Sequence, residues 1–221
     1  MKTRIFNLII LDESGSMHSI KQAAINGMNE TVQSIKASQK KHEDQEHIVT
    51  LVSFNSSAIK TIYDCVSAAE VKELSDADYI PDCCTPLYDA MGESLGRLRP
   101  KVGSEDKVLV TIITDGEENS SSEYNGKAIK ALVEELKGKG WVFAYIGANQ
   151  DVEKVAASIS VTNVLNFTAS NIGTGVMMHK LTQARSALFD RIADGDFCAE
   201  TENTDFFSEE KSLLSTKNVD G

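Results

Sequence analysis

Apolar residues fall into short, predominantly apolar runs separated by stretches with a helical period. The runs cover residues 5–11, 48–54, 108–114, 141–147 and 161–167, with a weaker one at 58–63. Each is rich in Ile, Val, Leu or Phe and bounded by polar residues. A run with apolar residues on both faces predicts a strand covered on both sides. Between the runs, apolar residues recur every three or four positions. Ile20, Ala24, Met28, Val32 and Ile35 mark one helix, Leu87, Ala90, Met91, Leu95 and Leu98 a second, and Ile129, Leu132, Val133 and Leu136 a third. Val152, Val155, Ala156 and Ile159 mark a short fourth, and Met177, Leu181, Ala184, Leu188 and Ile192 a fifth. Such alternation predicts an α/β fold: a doubly wound, mostly parallel six-stranded sheet with helices on both faces. The runs at 48–54 and 58–63 lie too close for a crossover, which predicts a hairpin and one antiparallel edge strand.

Two stretches fall outside this rhythm. Residues 64–84 are mixed polar and read as a long loop or a short helix. Residues 196–221 hold seven acidic residues against Lys211 and Lys217, with Phe197, Phe206, Phe207, Leu213 and Leu214 as the only apolar anchors. The organisation expected is one domain over residues 1–195 and a solvated acidic tail over 196–221, a packed C-terminal arm being the alternative.

Charge narrows the function. The 221 residues carry 22 Lys plus Arg against 33 Asp plus Glu, a net charge of −11. Binding to phosphate backbones or anionic membranes draws on clustered cations, so neither nucleic acid nor a membrane surface is an expected partner. No stretch approaches the roughly 18 apolar residues of a membrane span, and the run at 5–11 is too short for a secretory signal. Cys65, Cys83, Cys84 and Cys198 show no CxxC spacing; reduced thiols in a cytoplasm are expected.

In an open parallel sheet, ligands sit at the carboxyl ends of strands. Asp12-Glu13-Ser14-Gly15-Ser16 follows the first strand, Asp115-Gly116-Glu117-Glu118 follows the run at 108–114, and Thr85-Pro86 opens a helix. Each has a structural explanation as a turn or a helix cap, Thr85 with Pro86 at the first helical position above all. Together they bring two carboxylates and three hydroxyls to one crevice. That is an oxygen-only set suited to Mg²⁺, which takes six oxygens at about 2.0–2.1 Å and keeps several waters. Two carboxylates offset the cation's charge and leave it electrophilic enough to attract an outside carboxylate.

Asp12-x-Ser14-Gly15-Ser16, then Thr85, then Asp115-Gly116 resembles the metal-ion-dependent adhesion site of von Willebrand factor type A (vWA) domains, in a stand-alone intracellular form. The resemblance covers residues 5–192 and implies a Rossmann-like vWA fold, bound Mg²⁺ or Mn²⁺, and metal-dependent protein recognition without catalysis. It implies direct ligation by Ser14 and Ser16, ligation by Thr85 directly or through water, and contacts from Asp12 and Asp115 largely through water. The partner it implies is a protein offering an Asp or Glu carboxylate. Cys83-Cys84 replaces the glycine this family commonly places before the threonine.

Glu13, Glu117 and Glu118 would border the metal as a partner-binding rim. The alternative is an enzyme, a Mg²⁺-dependent phosphohydrolase of haloacid dehalogenase type with Asp12 as nucleophile. That chemistry uses a second Asp two positions on as acid and base, where this chain has Ser14.

Overall fold

The computed structural model describes residues 2–148 and 151–207. A six-stranded sheet is built from β1 (Thr3–Asp12), β2 (Gln45–Asn55), β3 (Ala58–Ser67), β4 (Lys107–Thr114), β5 (Trp141–Ala148) and β6 (Asn163–Phe167). Their spatial order is β3-β2-β1-β4-β5-β6. β1 pairs in parallel with both β2 and β4, and β4-β5-β6 continue in parallel. β3 runs antiparallel to β2, across the short turn at Ser56 and Ser57. This is the expected α/β architecture.

Helices α1 (Lys21–Lys41) and α5 (Asn171–Asp194) cover one face. Helices α2 (Leu87–Leu98), α3 (Gly126–Lys137) and α4 (Val152–Ser158) cover the other. β1 shows why its run carries no polar alternation. Ile5, Ile9 and Leu11 pack with Met28, Ile35 and Leu181, while Phe6, Leu8 and Ile10 pack with Leu87, Leu95 and Val133. Burying each such side chain stabilises the fold by about 1.5–3 kcal/mol, so both faces of the strand must be apolar. Helices α1 and α5 meet at Gly27, where a Cβ would overlap the Met178 side chain.

β1 carries the chain to one end of the sheet, where a 3-10 turn at Gly15–Ile20 leads into α1. Residues 64–84 divide between the end of β3, a 3-10 turn at Ala68–Glu70 and an irregular segment, turned at 76–78, that buries Val71, Leu74, Tyr79 and Pro81. No helix among the described residues is long and apolar enough to cross a membrane.

The solvated tail expected from residue 196 does not hold for its first part. Residues Ala199–Asp205 form α6, which packs on the start of β5 and β6. Asn203 Nδ2 donates to the carbonyls of Trp141 (2.8 Å) and Ala199 (2.9 Å), and its Oδ1 accepts from the Phe143 N–H at 3.1 Å. The buried Glu202 carboxylate takes a fork from Arg191 at 2.6 and 2.9 Å, and Phe206 is 2 % exposed. The acidic composition concealed this because Glu200 and Asp205 face solvent while Glu202, Asn203 and Phe206 face the sheet. Residues 208–221, with Leu213 and Leu214, lie outside the described residues.

Asn203→Ala therefore strands backbone groups of β5 in a buried setting, each costing about 1–3 kcal/mol. The expected result is a melting temperature lowered by several degrees in circular dichroism. An unchanged midpoint would mean that α6 does not hold the sheet edge.

Candidate metal centre

The sheet order reverses between β1 and β4, and the crevice at their carboxyl ends collects the predicted residues. Asp12 ends β1, and Asp115 follows the last residue of β4. Asp12 is fully buried, Ser14, Thr85 and Asp115 are buried, and Ser16 is exposed at the mouth. Ser16 Oγ donates to Asp115 Oδ1 at 2.5 Å, and the hydroxyls of Ser14 and Ser16 lie 3.1 Å apart. Oxygens adjacent on an octahedron around Mg²⁺ are about 3.0 Å apart, given metal–oxygen distances near 2.1 Å. The hydroxyl pair fits that spacing.

Gly116 locates the point of convergence. A Cβ built on it would sit 2.9 Å from Thr85 Oγ1, 3.5 Å from Ser16 Oγ and 3.6 Å from Asp12 Oδ2. Oxygens from the loop after β1 and the loop before α2 thus face one small space beside the loop after β4, which a single methyl group would fill. Among the described residues, no group of three or more His, Cys, Asp or Glu side chains is placed to hold a metal. Two carboxylates and three hydroxyls are a donor set that would suit a hard cation rather than Zn²⁺.

Neither Asp12 nor Asp115 is in an ion pair among the described residues. Burial pushes the Asp12 carboxyl up to about 6, against hydrogen bonds from Thr114 and Ser14 that lower it. Burial likewise raises Asp115, opposed by its bond from Ser16. Two like charges held out of water beside each other form a local negative field that a small cation offsets.

The loops are set by groups that sequence reading passed over. Thr114 Oγ1 donates to Asp12 Oδ2 at 2.6 Å, the Ser14 N–H to Asp12 Oδ1 at 2.7 Å, and the Tyr79 hydroxyl to the Asp12 carbonyl at 2.5 Å. Asn119 clasps Thr85: its Oδ1 accepts the Thr85 N–H at 2.9 Å and its N–H donates to the Thr85 carbonyl at 3.1 Å. The Asn119 amide was the one legible signal, as a polar residue four positions past Asp115.

Three readings are corrected. Thr85 is not the helix cap: α2 starts at Leu87 after Pro86 with no side-chain cap bond, so the Thr85 hydroxyl is left facing the crevice. Glu118 supplies the missing acceptor instead, taking the N–H groups of Tyr88 (3.0 Å), Ser120 (3.0 Å) and Ser121 (2.8 Å). It is a loop brace rather than a rim residue. Glu13 is fully buried and cannot border the crevice mouth; its carboxylate pairs with Lys60 at 3.1 Å and accepts the Ile80 N–H at 2.6 Å. Of the three rim glutamates only Glu117 is exposed. Where glycine was expected near Thr85, Cys83 adopts φ 64°, in the left-handed region, and turns its carbonyl to the Gly15 N–H at 3.0 Å.

No family model matches the sequence, and no curated protein matches it. Solved structures match the fold. The vWF domain of the type V pili tip protein Mfa5 from Porphyromonas gingivalis superposes with a TM-score of 0.55 at 9% identity, covering 85% of this chain and 96% of that one. The SpRpn10 VWA domain gives 0.52 at 10% identity, over 80% of this chain and 94% of that one. Proximal thread matrix protein 1 from the mussel byssus gives 0.61 at 16% identity over 84% of this chain, which spans 47% of that protein's length. The chain has a vWA-like, Rossmann-like fold.

Asp12 allows a direct check in metal-free buffer. A carboxyl near 6 when folded and about 3.9 when unfolded weakens the fold above pH 6, by about 2–3 kcal/mol. That loss disappears as pH falls through the folded pKa towards the unfolded one, because only the folded state takes up the proton. With EDTA present, Asp12→Asn is expected to raise the melting temperature at pH 7.5 and to lose that advantage by pH 4. Equal effects at both pH values would contradict the burial argument.

Proposed function

We propose that this chain is a non-catalytic protein-binding module that uses Mg²⁺ to capture an Asp or Glu carboxylate of a partner protein. The observation that carries the reading is the convergence of Thr85, Ser16 and Asp12 oxygens on the space in front of Gly116, with Ser14 and Asp115 one hydrogen bond away. Ser14, Ser16 and Thr85 would hold the ion through their hydroxyls, and Asp12 and Asp115 would contribute charge largely through water. Mn²⁺ suits the same oxygens. With only two carboxylates, the bound ion keeps the electrophilicity to take a partner's carboxylate on its solvent side, where Ser16 opens to water. The vWA-like fold supports an interaction module, and the four free cysteines fit a reducing, cytoplasmic setting.

Phosphohydrolase chemistry finds less support. A nucleophilic Asp12 would need a second acid two positions on to protonate the leaving group. Ser14 stands at that position instead.

Mg²⁺ titrated to ten times its dissociation constant should stabilise the fold by about 1.4 kcal/mol, or about 3–5 °C in melting temperature. Asp12→Asn should abolish the shift, as should Gly116→Ala, whose methyl group occupies the ion's space. Below about pH 6, where Asp12 takes a proton, affinity should fall by up to tenfold per pH unit. An absent Mg²⁺ shift, or an equal one in Asp12→Asn, would overturn the reading.

A further inference from the structure

We propose that the wall formed by residues 79–84 and Glu117 selects among carboxylate-bearing partners, favouring a peptide whose acidic residue is flanked by a large apolar side chain and a basic one. This rests on the metal-dependent reading above and gives it a partner chemistry.

The wall is held rigidly against the motif loop. The Tyr79 hydroxyl bonds the Asp12 carbonyl, the Ile80 N–H the Glu13 carboxylate, the Asp82 N–H the Glu13 carbonyl at 2.9 Å, and the Cys83 carbonyl the Gly15 N–H. Glu13 is thus the buried anchor that fastens one rim to the other. Along residues 79–82 burial alternates: Tyr79 and Pro81 are buried, while Ile80 and Asp82 face solvent. Ile80 is 56% exposed, one of three large apolar side chains so exposed among the described residues, the other two lying on α5. A fixed backbone presenting an isoleucine to water beside a ligand site is an apolar contact already ordered for a partner.

Charge supplies the second preference. Lys60 is taken by Glu13 and Lys21 by Asp76 at 3.4 Å. Asp82 and Glu117 are exposed and in no ion pair among the described residues. A divalent cation offsets only Asp12 and Asp115, so the mouth keeps two uncompensated carboxylates. A basic residue beside the partner's metal-binding acid is attracted there, and a second acid is repelled.

The test is selection of a displayed heptapeptide library with a fixed central Asp, captured on the full chain in Mg²⁺ and eluted with EDTA. The unaltered chain should enrich Leu, Ile, Val, Phe or Met together with Lys or Arg around the Asp. Ile80→Ser should cut the apolar enrichment about tenfold. The pair Asp82→Lys and Glu117→Lys should exchange the basic preference for an acidic one. Both variants should keep the Mg²⁺ melting shift. Identical enrichment in all three proteins overturns the wall's selectivity alone. A Mg²⁺ shift with nothing released by EDTA overturns carboxylate capture and this proposal with it, and loss of the shift itself overturns the metal reading beneath both.

Discussion

Strands β1 and β4 lie side by side and run the same way. Their chains therefore leave the sheet at neighbouring points, a strand spacing of about 4.8 Å apart. From β1 the chain goes on to pair with β2 on one side, and β4 opens the succession β5-β6 on the other, so connections diverge and a crevice remains between them. Asp12 closes β1 and Asp115 follows β4 at that divide. Their proximity is a consequence of topology, and the remaining polar arrangement at this end follows from it.

Two carboxylates brought together out of water require compensation, and the surrounding loops provide part of it as hydrogen bonds. Thr114 and the Ser14 N–H serve Asp12, and Ser16 serves Asp115. The loops in turn brace one another. Asn119 clasps Thr85, Glu118 gathers the open N–H groups at the start of α2 and in its own turn, and Asp89 of α2 returns the favour to the N–H groups of Ser122, Glu123 and Tyr124. Hydrogen bonds to charged acceptors are worth about 1.5–3 kcal/mol each. Oxygens held this way would lose little freedom on meeting an ion, which is what the proposed metal site requires of mostly neutral donors.

The same reasoning separates exposed from buried acids. Glu13, Glu118 and Glu202 serve as internal anchors, each with a partner distant in sequence or a cluster of N–H groups to satisfy it, because an unpaired buried charge costs several kcal/mol. Asp82 and Glu117 have no such partner among the described residues and face solvent. What distinguishes the two groups is the availability of a donor at the place where the backbone puts the side chain. Lys60, on the antiparallel edge strand β3, decides the matter for Glu13.

The amino-acid pattern by itself determined the six strands, the hairpin at the edge, helices α1 to α5 and the oxygen types at the crevice. Apolar period is set by which faces are covered, and strand ends follow from it, so the positions of Asp12, Ser14, Ser16, Thr85 and Asp115 were legible. The inward turn of Glu13, the bracing by Glu118 and Asn119, the release of Thr85 from capping and the docking of α6 were decided only by tertiary structure. Each depends on a donor or acceptor brought from elsewhere in the chain: Lys60 for Glu13, Asn119 for Thr85, the β5 backbone for Asn203. Local sequence records whether a side chain can hydrogen-bond, and only the folded chain settles what stands within reach.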